Sequence, residues 1–294
     1  MRFTKLEIVL LLLILLAILT GFFIIYTKST SINKIPFLSK MANLEKFPET
    51  STEWSEYMGD ALDNYCQNDK GYDLKPEFRR SLSLIIQRLN ESPHDDKDTV
   101  LRGVRGSLNC LDINYASTSE ELSGADGIFL FSKEFSNNKR LSILVNPDYK
   151  AQDDLMTAML LSHEIVHADQ FIYQDVYNTA ISTCYEKQKE DICNQAKQAY
   201  SYVLTSCYDS EINAFGMQFY FFLQLKESEK ASLLSKYLSG NTADYNLPVL
   251  YLMENYSKLV LTCGNDSDAT TCAKNWFTAQ VTSSPFYQKQ CGAN

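Results

Sequence analysis

The chain has 294 residues, 45% hydrophobic and 21% charged, with 36 acidic against 27 basic side chains and a formal net charge of −9. That length suffices for one large domain or two small ones. The acidic balance argues against nucleic acid or an anionic membrane surface as a partner.

From Ile8 to Tyr26 the run IVLLLLILLAILTGFFIIY has no charged residue. At about 1.5 Å rise per residue it makes a helix close to the roughly 30 Å hydrocarbon core of a bilayer. It is longer than a cleaved signal's apolar stretch of about 7–15 residues, so a single retained anchor is expected. Lysines and arginines on its two sides do not orient it, but cysteines do. All eight (Cys66, Cys110, Cys184, Cys193, Cys207, Cys263, Cys272 and Cys291) lie beyond the span. An even number in a chain with an export-type start reads as disulfides in an oxidising compartment. Cys184/Cys193 and Cys263/Cys272 are near enough in sequence to pair locally. The expected organisation is a cytoplasmic N-terminus over 1–7, a transmembrane anchor over 8–26, a polar tether over 27–45 and one extracytoplasmic domain over 46–294. Residues 1–34 carry Arg2, Lys5, Glu7, Lys28 and Lys34, a net +3, which leaves −12 on the remainder.

Beyond the tether, helices are predicted over about 53–66 and 76–90, the second with Leu82, Ile85, Ile86 and Leu89 at helical spacing. LNCLDINYA (108–116), GIFLFS (127–132) and LSILVNP (141–147) are short, apolar and bounded by turn residues, and read as strands. SNNK ahead of Arg140 suits a hairpin turn. Asp153 and Asp154 supply a cap and a first-turn acid for a helix over about 153–175. Further helices are predicted over 189–226, 228–239 and 247–262, followed by a loop-rich tail from Cys263 tied down by disulfides. The fold class is α+β: a small, mostly antiparallel sheet ahead of a mainly helical C-terminal half.

Residues 161–170 read LSHEIVHADQ and hold two of the three histidines. His163 and His167 are four apart, so they project from one helix face on successive turns. That spacing lets two imidazoles reach one Zn²⁺ at about 2.0–2.1 Å each. Glu164, beside them, is placed to act as general base toward a water. Leu155, Met156, Met159, Leu160, Ile165 and Val166 make the surrounding helix largely apolar, so the histidines would otherwise be buried polar groups without an evident partner.

LLSHEIVHADQ, reached from a strand, resembles the active-site helix of zincin metallopeptidases, a likeness that covers roughly 108–225 and is specific only in HExxH. The resemblance implies a small sheet whose edge strand, here GIFLFS or LSILVNP, aligns an extended substrate. Gln170 and Tyr173 stand where metzincins carry glycine and a third histidine, which removes that branch; His94, in the charged loop SPHDDKD, is the remaining histidine. CYDSEINAFGMQFYFF (207–222) is similar to the E-x-x-A stretch of gluzincins, which assigns Glu211 as third zinc ligand and Ala214 as the small residue that lets the two helices pack. The alternative for Glu211 is an exposed acid at a helix start. Two departures stand out. Asp169 occupies a position the extended pattern keeps apolar, and Phe215 replaces an aspartate that in several gluzincins holds a zinc histidine. Asp209, Asn213 or a backbone carbonyl is left for that role, and Tyr202 or Tyr208 for stabilising an oxyanion.

The resemblance thus implies a membrane-tethered, extracytoplasmic zinc metallopeptidase acting on a peptide or protein, with one Zn²⁺ on His163, His167 and Glu211 and with Glu164 as catalytic base. The alternative is a non-enzymatic surface or envelope protein that keeps the scaffold for binding or assembly.

Overall fold

The computed structural model describes residues 74–91, 111–132, 140–200, 206–238 and 269–292, with 256, 258, 259 and 261–263 between the last two stretches. The anchor, the tether, the helix expected over 53–66, the SNNK turn, His94, Tyr202 and most of 247–262 lie outside these residues. Among the described residues no helix is long and apolar enough to cross a membrane.

Helix α1 (Pro76–Asn90) opens on a proline, whose fixed φ and missing N–H suit a first helical turn. It buries Phe78, Leu82, Ile85 and Leu89, a stripe at helical spacing. Three strands follow: β1 (Leu111–Tyr115), β2 (Gly127–Ser132) and β3 (Arg140–Val145). Their order is β1-β3-β2, with β1 parallel to β3 (Leu111 beside Leu141) and β2 antiparallel to it (Gly127 beside Val145). The sheet is therefore mixed, not mostly antiparallel. The cause is the connection 116–126. Its 3₁₀ turn (Ser119–Leu122) and left-handed Ser123 and Gly124 carry the chain across the end of β3, leaving a strand-wide slot between β1 and β2. Backbone bonds from Ala116 N to Val145 O and from Asn146 N to Asp126 O close the slot at that end. Leu111, Ile113, Leu141, Ile143 and Val145 all face the core.

Helix α2 (Asp154–Glu186) starts where Asp153 accepts from the Met156 amide at 3.0 Å, the expected cap. Its first half is apolar nearly all round, as a helix in the middle of a domain must be: Met156, Ala158, Met159, Leu160 and Leu161 are buried among α1, β2 and the later helix over Cys207–Gln224. It runs past 175 to Glu186, then turns through left-handed Gln188 into α3 (Glu190–Tyr200), and Cys184–Cys193 clamps the turn. The single helix expected over 189–226 is two helices, since Ser206 caps a fresh start at α4 (Cys207–Gln224). Helix α5 (Glu227–Leu238) follows and meets α1 through the Arg88–Glu229 ion pair.

The tail departs most from expectation. It is tied by Cys263–Cys272 and Cys207–Cys291, as foreseen for the first pair, but it is helical: α6 (Ala269–Ser283) and α7 (Pro285–Cys291). Ala273, Phe277 and Val281 recur every fourth residue and are all buried, and Phe277 inserts among Phe215, Phe219 and Tyr256. That stripe is a helical signal the cysteines and polar residues around it obscured.

Candidate metal centre

His163 and His167 stand on successive turns of α2, and Glu211 stands on the second turn of α4, which packs along α2. Two features let the helices come so close. Ala214 is fully buried on α4, and Gln218 Nε2 donates to the Met159 carbonyl at 2.8 Å while its Oε1 accepts from Tyr256 at 2.7 Å. The polar amide thus enters the core with both ends satisfied.

At this crossing three donor atoms converge. His163 Nε2 lies 3.2 Å from His167 Nε2, and Glu211 Oε2 lies 3.4 Å from the first and 3.7 Å from the second. Ligands about 2.0–2.1 Å from one tetrahedral ion stand about 3.3 Å from each other, which the three separations match closely. His163 and Glu211 are only 7% and 6% exposed. Glu211 is therefore no exposed helix-start acid. Burial pushes its carboxyl up, but the two histidines hold it below the ordinary carboxylate range.

The surroundings set the protonation of the cluster. Ser210 Oγ donates to Gln170 Oε1 at 2.5 Å, so its lone pair accepts from His167 Nδ1, 3.0 Å away. With its proton on Nδ1, His167 turns a bare Nε2 lone pair inward. That lone pair faces the His163 Nε2 and a Glu211 carboxylate oxygen, three potential ligand atoms that one cation can share. Burial lowers the His167 pKa, and the Glu211 and Glu164 carboxylates more than reverse this. The residue holding His167 is thus Ser210, not Asp209, which instead accepts from the Ser206 hydroxyl at 2.8 Å. Behind His163 lies the Phe215 ring, edge-on at 4.5 Å, and His163 Nδ1 is buried without a hydrogen-bond partner.

No protein-family model matches the chain, and neither do curated proteins or solved structures. The reading of this site rests on its own chemistry: His163, His167 and Glu211 form a buried group that can hold a metal ion.

Glu164 sits beside the cluster, 5% exposed. Burial raises its carboxyl pKa; the His163 and His167 charges and a hydrogen bond from the Phe129 backbone amide oppose that rise, while Glu211 adds to it. The start of β2 runs against this carboxylate. A Cβ on Gly127 would lie 3.0 Å from Glu164 Oε1, so glycine is what permits the approach. Asp169, one turn on from Ile165 and half-buried, has its carboxyl pushed up to about 6 by burial.

Two residues at the site have no counterpart in the sequence reading. Tyr287 of α7 packs edge-on against Phe215 at 5.7 Å. Burial raises its hydroxyl pKa, and the charges of Glu211, Glu164 and Asp126 raise it further, so it stays protonated as a donor. Gln290, on the same helix, donates to Glu211 Oε1 at 2.9 Å. Tyr208, by contrast, is half-buried near Gly292 at the chain's end. The available signal was Cys207: it precedes Glu211 by one helical turn, so its disulfide partner had to bring a segment next to the site.

Proposed function

We propose that the protein is a zinc-dependent metallopeptidase of the gluzincin type, working in an oxidising, extracytoplasmic compartment. The observation that carries this is the convergence of two imidazole nitrogens and one buried carboxylate at tetrahedral-edge separations, with a second buried carboxylate, Glu164, next to them. Imidazole and carboxylate donors in this number suit zinc with one open position. The three disulfides among the described residues support the compartment, and the apolar run 8–26 supports a membrane anchor.

Zinc bound there would supply Lewis acidity to a water and to a scissile carbonyl. Glu164 takes the water's proton on its carboxylate and returns it to the leaving amine, a role suited to a carboxyl raised by burial. Tyr287, packed on the Phe215 ring that borders His163, carries the hydroxyl we assign to the carbonyl oxygen as negative charge builds on it. Among the described residues β2 has a neighbouring strand on one side only, and its other edge, outside the Phe129 amide that donates to Glu164, is where an extended peptide would pair. Leu130, 42% exposed on that strand, offers an apolar contact.

The test compares the purified protein with Glu164→Gln on a peptide library, with zinc content measured in parallel. The expected result is one zinc in both and hydrolysis lower by about 10³-fold in the variant. Equal turnover in the two would sink this mechanism. Zinc in the wild type without turnover on any peptide would favour a scaffold that binds rather than cleaves.

A further inference from the structure

The last helix lies far from the HEIVH motif in sequence, yet it touches the centre. The two oxygens of Glu211 are divided between different partners. Oε2 faces the histidine nitrogens, whereas Oε1 accepts from Gln290 Nε2 at 2.9 Å. A carboxylate gripped at one oxygen cannot swing the other away from the histidines without breaking that bond. The gripping group is a neutral amide, which orients the carboxylate without offering it a rival positive charge.

Helix α7 has seven residues, none of them fully buried. So short a helix is not stable by itself. Beside the Tyr287–Phe215 ring contact, the disulfide Cys207–Cys291 ties it covalently to the ligand-bearing helix. Cys207 lies one turn before Glu211 on α4, and Cys291 directly follows Gln290 on α7. The covalent link therefore joins the backbone beneath Glu211 to the backbone beneath its hydrogen-bond donor.

We propose that Gln290 is a positioning residue for the metal centre, held on Glu211 by the Cys207–Cys291 disulfide, so that metal affinity depends on that disulfide. The inference rests on the metal-centre reading above. It makes the C-terminal helix part of the site and ties the site's competence to oxidation of two cysteines outside it.

The test measures zinc dissociation constants of the purified full-length protein by competition with a chromophoric chelator. The proteins compared are wild type, Gln290→Met and the double variant Cys207→Ser/Cys291→Ser. Methionine keeps the unbranched length of glutamine and removes the amide that donates to Glu211. Variants are used in place of added thiol because thiolates bind zinc themselves. Gln290→Met is expected to bind zinc about 10-fold more weakly. Its zinc-free unfolding temperature should match wild type, since Gln290 is exposed. The double variant should lose at least as much affinity. If Gln290→Met binds zinc as tightly as wild type, the positioning role is overturned while the metal centre stands. If only the double variant keeps wild-type affinity, the latch is overturned. If wild type itself binds no zinc, the metal-centre reading falls and this inference with it.

Discussion

Replacing Glu211 by glutamine separates its part as a ligand from its part in packing. The amide has the same shape, and its oxygen can still accept the Gln290 hydrogen bond, 2.9 Å in the native site. What disappears is a negative charge 3.4 and 3.7 Å from the two imidazole nitrogens. A bound ion keeps both imidazoles and loses its only anionic ligand. Removing a group that merely supports a ligand weakens metal binding 10–100-fold, so loss of the ligand charge itself should weaken it by about 100-fold or more. At a zinc concentration about 100 times the native Kd, binding stabilises the folded protein by about 2.7 kcal/mol. For a domain of about 150–250 residues that corresponds to a rise in Tm of roughly 5–11 °C. At the same zinc concentration Glu211→Gln sits near its own Kd, gains about 0.4 kcal/mol and shifts by roughly 1–2 °C. Thermal unfolding followed by circular dichroism, with and without zinc, measures both shifts. Equal shifts in the two proteins would show that Glu211 does not bind the ion, and the tetrahedral-edge argument would fail with it.

Other consequences can be checked with single substitutions. Gly127→Ala places a methyl 3.0 Å from Glu164 Oε1 and 3.1 Å from its Cδ and Cγ, so the carboxylate has to shift by a few tenths of an ångström. Since an error of about 1 Å costs about 100-fold, a loss of about 10-fold in kcat is expected with zinc affinity unchanged; an unaltered kcat would contradict a catalytic placement of Glu164. Glu229 bonds the nearly buried Arg88 at 2.5 and 3.0 Å, and Glu91 remains as a second partner at 2.9 Å. Glu229→Gln should therefore destabilise the protein by about 2 kcal/mol at neutral pH, below the roughly 3–5 kcal/mol of a pair broken with no partner left. Burial raises the Glu229 carboxyl, but the hydrogen bonds from Arg88 and the Lys226 amide, with the charges of both residues, together hold the pKa below its ordinary value. The pair's contribution is then complete above the unfolded glutamate value of about 4.3 and fades as pH falls through the lower folded value. Urea unfolding below about pH 5 should show wild type losing stability faster than Glu229→Gln, and parallel curves would refute the pairing.

Much of the local structure was legible in the order of residues because its causes are local. Leu82, Ile85, Ile86 and Leu89 stand at helical spacing, and α1 spans 76–90 as that spacing predicts. Asp153 caps α2 because the carboxylate reaches an amide three residues on, a contact within one turn. Cys184–Cys193 and Cys263–Cys272 close over nine residues each, short enough to read as local pairs. The fresh helix start at Ser206 was missed because apolar and aromatic residues continue on both sides of it, so the hydrophobic pattern alone did not interrupt the helix.

By itself the sequence determined the helical face bearing His163, Glu164 and His167, since an i, i+4 spacing places two side chains together whatever surrounds them. Glu211 was a candidate only through the likeness of 207–222 to the gluzincin E-x-x-A stretch. Tertiary structure decided the remainder. The slot that made the sheet mixed depends on a crossing of β3 by a distant connection. The partner of His167 is Ser210, forty-three positions away, and the donor to Glu211 is Gln290, seventy-nine positions away. A hydrogen bond between side chains so far apart depends on how helices pack and on which cysteines pair, and neither is encoded in the periodicity of any one segment.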